Sequence, residues 1–344
     1  LASNVAQGGV KTYRAGLLGC GDFARIQSPI LSKSQRVRVA AVYDPDPEAA
    51  RVTGERLGAP VVATPEAIFA DAAIDLALVF TPPFVRRPLV EQARAAGKKV
   101  ITTKPLAPTL EDARPISDAT KDGRCLVIYR RTGNAQVQTL KKLLDSGEVG
   151  RLALYKHDWI HHYPYWAPWA IDPRKNGGPL VDALIHNLNT ARHLAGREVV
   201  GLGYHGYRLT QTFPIPDTEL VVLDFEGGAT AHLSITWAAD LAIYDRKAND
   251  RERIDISYVV TSDRYLLRFE TREGRPMLLA TRDGQIRLYP VEAPPLTLYD
   301  RYVADLEEGR PVESSAQEAC RDIELALMAT AHPTVWPVAP AGAR

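Results

Sequence analysis

Two stretches of the chain carry residue types whose spacing suits chemistry. The first is Gly19-Cys20-Gly21-Asp22-Phe23-Ala24, which fits G-x-G-x-x-A. In such a turn Gly19 permits a tight reversal, Gly21 lets backbone N–H groups approach a pyrophosphate, and Ala24 allows close helix–strand packing. A helix starting here points its positive end at the phosphates, with Asp22 and Phe23 in its first turn among the cofactor-binding residues. Asp44 ends the next apolar run, 23 residues beyond Gly21, close to the spacing of about 20 expected of an acid on a ribose. A carboxylate there accepts both hydroxyls of an adenosine ribose and repels a 2′-phosphate. Pro45-Asp46-Pro47 add a second negative charge and no immediate Arg or Lys. The reading is a dinucleotide site that takes NAD(H) over NADP(H).

The second stretch is a helix expected from Pro179 to about Leu194, with Gly177-Gly178 before it and Pro179 in its first turn. At about 100° per residue, Asp182, His186, Asn189 and His193 share a narrow stripe, opposite Leu180, Leu184, Leu188 and Ala191. A polar stripe is ordinarily the solvated side of a helix. This one has no Lys, Glu or Arg and opens on an acid and a histidine at i and i+4, which suits a functional face equally well. Upstream runs Tyr155-Lys-His-Asp-Trp-Ile-His-His-Tyr-Pro-Tyr-Trp-Ala-Pro-Trp169, where His157, His161 and His162 can join His186. They show no recognised ligand spacing, so no metal is expected. His161, Tyr163, Trp166 and Trp169 read instead as walls for stacking a sugar or a nicotinamide. A packing cluster that ties down a loop is the alternative.

Elements must position these residues. Apolar runs at 13–19, 37–44, 75–82, 98–104 and 125–130 alternate with helix-like segments such as 47–58 and 87–98. That alternation describes βαβ units around a parallel sheet buried on both faces. After Gly150 strands dominate, at 151–160, 199–209, 219–228, 230–239, 254–262, 264–271 and 277–284, separated by Gly and Asp-Gly turns that suit an antiparallel sheet. Two late segments, 296–309 and 315–331, read as amphipathic helices, and the tail after Trp336 as loop. The division expected is residues 1–135 for dinucleotide binding and 136–344 for substrate binding and oligomerisation, with a late helix free to return to the first part.

Composition narrows the class. Of 344 residues, 45% are hydrophobic and 24% charged, with Lys plus Arg at 42 against Asp plus Glu at 41. These values exclude long intrinsic disorder and give no electrostatic footprint for nucleic acid or an anionic membrane. Cys20, Cys125 and Cys320 lie far apart and form no C-x-x-C pair, so neither a zinc site nor a disulfide framework is signalled. No apolar run approaches the ~20 residues of a membrane span. A cytoplasmic location is the default expectation. The N-terminus shows no signal peptide but lacks an initiating Met, so a processed segment before it, and export, stay open.

With the glycine turn, Asp44, Lys104-Pro105 and Gly177-Gly178-Pro-Leu-Val-Asp182-Ala-Leu-Ile-His186 in one order, residues 12–335 resemble the glucose–fructose oxidoreductase/inositol dehydrogenase/MocA (Gfo/Idh/MocA) family. The resemblance implies an α/β fold: an N-terminal Rossmann doubly wound parallel sheet, plus a C-terminal α/β domain with a large, mostly antiparallel open sheet. It implies a homodimer or homotetramer through that sheet. It also implies a sugar or polyol substrate, NAD as cofactor, and Lys104, Asp182 and His186 as the catalytic trio, all three touching substrate. His186 would be the general base, Asp182 would hold the substrate hydroxyl, and Lys104 would steady negative charge on a substrate oxygen. Thr81-Pro82-Pro83 matches the family's Thr-Pro turn at the cofactor, and Arg86, Thr103 and Lys104 complete that list. Thr103 replaces a Glu, Arg86 a usual histidine, Leu184 a common glycine and Asn189 a frequent Asp. These departures keep two alternatives open: an NAD-sensing regulator on the same fold, and a glycosidase that retains NAD and works through transient oxidation.

Overall fold

The computed structural model describes residues 11–160, 169, 172–209, 215–237 and 255–333. The chain forms two compact units, one of residues up to Leu106, Arg114–Ile128 and Pro294–Glu318, the other of Ala107–Ala113, Tyr129–Ala293 and Ala319 onward.

The first unit holds five parallel strands: β1 (Tyr13–Leu18), β2 (Val37–Tyr43), β3 (Leu76–Val79), β4 (Lys99–Thr103) and β5 (Cys125–Ile128). Their order is β2-β1-β3-β4-β5, so the chain reverses direction across the sheet between β1 and β3. Every residue of β3 and β5 is buried, as expected of strands covered on both faces. The helices Asp22–Lys33, Pro47–Leu57 and Arg86–Ala95 lie between successive strands. Asp46 caps the second of these, accepting the N–H groups of Glu48 and Ala49, and Pro47 sits at its first position. The helix Leu298–Glu308 belongs to this unit. Its Asp300 accepts from Ser34 Oγ at 2.5 Å and the Arg36 N–H at 2.9 Å, and its Tyr302 hydroxyl donates to the Arg124 carbonyl at 2.9 Å.

The second unit is built on eight strands: β6 (Leu152–Ile160), β7 (Val199–Tyr207), β8 (Thr218–Phe225), β9 (Thr230–Thr236), β10 (Asp255–Ser262), β11 (Leu266–Arg272), β12 (Arg275–Arg282) and β13 (Gln285–Pro290). The order is β13-β12-β11-β10-β6-β9-β8-β7, and only the β6–β9 pairing is parallel. On β8, Val221, Leu223 and Phe225 point into a core shared with Leu140, Leu184, Leu188, Leu325 and Ala326 of the covering helices. Leu220 and Val222 of the same strand face outward, 43% and 37% exposed. Sequence periodicity leaves β13 out: Ile286 and Leu288 alternate with Gln285 and Arg287 over only six residues, which are exposed at nearly every position. The short helix Pro65–Ala70 and the helix Ala135–Asp145 are likewise additions to the sequence reading.

Candidate active site

In the first unit the candidate cofactor residues gather at the carboxyl ends of β1 to β4. Gly19 has φ +95°, and a Cβ there would lie 2.8 Å from the Phe80 carbonyl, so only glycine lets this turn pass so close to the end of β3. Around Gly21 there is open space on the side a Cβ would occupy. Gly21 is also the cap of the helix Asp22–Lys33 and has no side chain to satisfy the first N–H groups. Ala24 is fully buried, and Phe23 packs edge-on against Phe80 with ring centroids 4.9 Å apart. Asp22 lies exposed and pairs with Arg25.

Asp44 braces this turn. Its Oδ2 accepts the Cys20 N–H at 2.7 Å and its Oδ1 the Asp46 N–H at 2.9 Å. A carboxylate has about four lone-pair sites, so acceptor capacity for two hydroxyls is left. After β3, the Thr81 hydroxyl is buried with no hydrogen-bond partner among the described residues, and Pro82 leads into the turn Pro83–Val85. Thr103, the last residue of β4, donates from Oγ1 to the Ile128 carbonyl at 3.3 Å, and the half-buried Lys104 donates its N–H to the same carbonyl at 3.2 Å. An open glycine face, an uncapped helix N-terminus, spare carboxylate lone pairs and an orphaned hydroxyl fit a dinucleotide.

Arg86, expected among the cofactor-binding residues, lies inside the unit. It is 1% exposed, and its guanidinium is aimed at carbonyl oxygens of the loops after β3 and β4. A side chain so enclosed has almost no surface left for a ligand.

In the second unit, Asp182 and His186 ride on one helical segment that changes character between them. Leu180–Leu184 form a π-turn, with the Ile185 N–H reaching back five residues to the Leu180 carbonyl, and Ile185–Ala195 continue as α-helix. Such widened turns are frequent at functional sites. Gly177, with φ +86°, starts the segment, and a Cβ there would strike Val181 Cγ1 at 2.6 Å. Leu184, where glycine is common, is simply a fully buried core residue.

The four-residue polar stripe is not a solvated face. Asn189 is 2% exposed and bridges Arg131 to Asp322, donating to Asp322 Oδ2 at 2.6 Å. Burial, then the Arg131 and Lys141 charges, hold the His193 pKa down at about 3. Asn189 therefore belongs to packing, while Asp182 is 8% exposed and His186 and His193 are partly buried.

His186 is framed by the edges of Tyr129 and Trp159, each ring centroid 6.0 Å away. Its Nδ1 accepts the Arg130 N–H at 3.0 Å. Tyr155, His157 and Trp159, at alternate positions of β6, extend the aromatic wall, and Tyr258 of β10 joins it 5.3 Å from His157. The Arg130 guanidinium lies 5.2 Å from the centroid of the Trp159 ring. Burial, helped by Arg130, lowers the His157 pKa to about 4, so its ring is neutral near pH 7. Its Nδ1 meets the Tyr155 hydroxyl at 2.8 Å, while its Nε2 and the Tyr258 hydroxyl are buried without partners among the described residues. Sequence reasoning missed Arg130 and Tyr258; the alternation of Tyr155, His157 and Trp159 was the available signal. Of the expected aromatic walls, His161, Tyr163 and Trp166 lie outside the described residues, and Trp169 is partly buried. Among the described residues no cluster of His, Cys, Asp and Glu is placed to hold a metal, and no helix is long and apolar enough to cross a membrane.

These two units define a dinucleotide-binding oxidoreductase architecture. The NAD-binding Rossmann-fold model of the oxidoreductase family matches residues 13–130, and the GFO/IDH/MocA C-terminal domain model matches residues 137–256. The chain belongs to the Gfo/Idh/MocA family. It is 29% identical over 276 residues to inositol 2-dehydrogenase 2 of Saccharopolyspora erythraea, covering 77% of this chain and 78% of that one. It is 28% identical to the NAD(+)-dependent scyllo-inositol 2-dehydrogenase of Bacillus subtilis over 48% of this chain. The match spans about half the length of such relatives: 49% of the Bacillus protein and 57% of the inositol 2-dehydrogenase of Rhizobium meliloti. Among solved structures, aldose-aldose oxidoreductase from Caulobacter crescentus shares the fold with a TM-score of 0.77 at 23% identity, covering 93% of this chain and 98% of that one. Levoglucosan dehydrogenase in complex with NADH and levoglucosan does so with a TM-score of 0.74 at 19% identity, covering 93% and 98%.

Proposed function

We propose that the protein is an NAD-dependent oxidoreductase that moves a hydride between nicotinamide and a CH–OH carbon of a sugar, polyol or related small molecule. The observation that carries the reading is the Gly19–Gly21 turn braced by Asp44, 2.7 Å from the Cys20 N–H, with open space beside Gly21. The orphaned Nε2 of His157 and hydroxyl of Tyr258, set in an aromatic wall, favour a ligand rich in hydroxyl groups. Relatives named for inositol and apiose point to the same class.

Bound nicotinamide supplies the hydride acceptor. Lys104 steadies negative charge on the substrate oxygen, and Asp182 holds the hydroxyl. For His186 the Arg130 contact favours a second reading over general base. With Nδ1 accepting an N–H, the neutral ring keeps its proton on Nε2 and donates to the substrate oxygen. Proton removal then rests with Asp182, which holds the hydroxyl. As part of the same proposal the protein assembles as a homodimer or homotetramer through its large sheet, which light scattering would measure.

Titration with NADH and NADPH tests the cofactor assignment, following energy transfer from the five tryptophans. Tighter NADH binding supports it and opens a screen of polyols and sugars by absorbance. Preference for NADPH overturns the Asp44 argument. Binding of neither, in protein free of bound cofactor, overturns the dehydrogenase reading.

A further inference from the structure

Arg86 has no part in the chemistry assigned so far, yet its surroundings are specific. Its Nη2 donates to the Thr81 carbonyl at 2.6 Å. Its Nη1 donates to the Thr103 carbonyl at 2.6 Å, to the Leu106 carbonyl at 3.3 Å and to the Pro105 carbonyl. A buried cation is costly unless its donors find partners, and here backbone carbonyls of two separate loops accept from both Nη groups. A guanidinium suits this task because its planar fork presents several N–H groups in fixed directions, whereas a lysine ammonium is a point charge.

The two loops follow β3 and β4, which pair in parallel as neighbours. They lie on the side of β1 away from β2, where Asp44 addresses the adenosine half. In a doubly wound sheet the other half of a dinucleotide falls over these strands. The partnerless Thr81 hydroxyl and the Lys104 side chain both rise from the loops that Arg86 joins.

We infer that Arg86 is a positioning residue for the nicotinamide end of the cofactor: it clamps the Thr81–Pro83 and Thr103–Leu106 loops to each other and so sets Lys104. The inference rests on the NAD reading above. Its test separates the two halves of the cofactor, because ADP-ribose carries the adenosine and both phosphates without nicotinamide. NADH and ADP-ribose are titrated against the full chain as wild type, Arg86→Lys and Arg86→Met, and hydrogen exchange is recorded without ligand.

The expected result is an NADH Kd weakened about tenfold or more in Arg86→Met, and less in Arg86→Lys, with ADP-ribose affinity within about twofold of wild type. Exchange should quicken at residues 81–84 and 103–107 alone. Equal loss of both ligands marks a merely structural role and overturns the inference, as does unchanged NADH affinity. Failure of both variants to fold overturns it too, since Arg86 then carries the whole unit. If wild type binds neither ligand, the cofactor reading falls and exchange at the two loops decides the clamp by itself.

Discussion

The backbone N–H of Arg130 donates to Nδ1 of His186 at 3.0 Å. That bond occupies the lone pair of one ring nitrogen, so the neutral ring carries hydrogen on the other. His186→Asn or His186→Gln, which keep an N–H donor, should therefore retain turnover within about tenfold of wild type. His186→Ala should lose about 10²–10³-fold, the usual cost of a donor to a developing oxyanion. Steady-state kcat on an identified sugar or polyol checks this. If Asn and Gln fall as far as Ala, His186 is the base.

Asp44 braces Cys20 and, in the proposed cofactor site, also offers oxygen to a ribose. Asp44→Ala should narrow the ratio of NADPH to NADH dissociation constants by about tenfold, because a repelling charge is removed. NADH affinity should fall as well, since the turn loses its brace. An unchanged ratio removes Asp44 from cofactor selection.

Glu219 on β8 is 2% exposed, with the Tyr204 hydroxyl donating to it at 2.8 Å. Burial pushes its pKa up to about 7, and the Tyr204 hydrogen bond and the Leu180 N–H pull the other way. A carboxyl with a raised folded pKa takes up protons more readily folded than unfolded. Its contribution is thus full below the unfolded pKa of about 4.5 and is lost as pH rises to about 7. Glu219→Gln should match wild type near pH 5 and exceed it by on the order of 3 kcal/mol at pH 8, read from denaturant midpoints.

His193 has the opposite sign. Its folded pKa, about 3, lies below the ordinary 6.5, so the unfolded chain binds the proton first. Stability falls as pH drops from 6.5 toward 3, and His157 acts in the same direction down to about 4. His193→Leu should flatten the loss of Tm between pH 6.5 and 4.5. An unaltered slope would show that the ring titrates freely.

Asp322 is fully buried, accepting from Asn189 at 2.6 Å and pairing with Arg192. Asp322→Ala leaves Arg192 and Arg131 facing each other's network without an anion. Removing one partner of such a buried pair costs about 3–5 kcal/mol. Chemical denaturation should show that loss; a change under about 1 kcal/mol would mean water reaches the network.

The parallel strands were legible because burial on both faces writes continuous apolar runs, as in Leu76–Val79. The exposed β13 left no such record. The Asp182–His193 stripe shows the limit of periodicity: it names a face, not what packs against it. Only the fold shows Asn189 bonded into the Arg131–Asp322 network and His186 framed by Tyr129 and Trp159.

What the sequence determined by itself is local: the backbone freedom Gly19 needs at φ +95°, the acid at the end of β2, and the order of motifs that marks the family. Tertiary structure decided the ring nitrogen His186 presents and set the Arg86 guanidinium among the carbonyls of the loops after β3 and β4. Both decisions are made by backbone N–H and C=O groups. Every residue here has a carbonyl and nearly every one an N–H, so side-chain identity carries no trace of them until folding brings them into place.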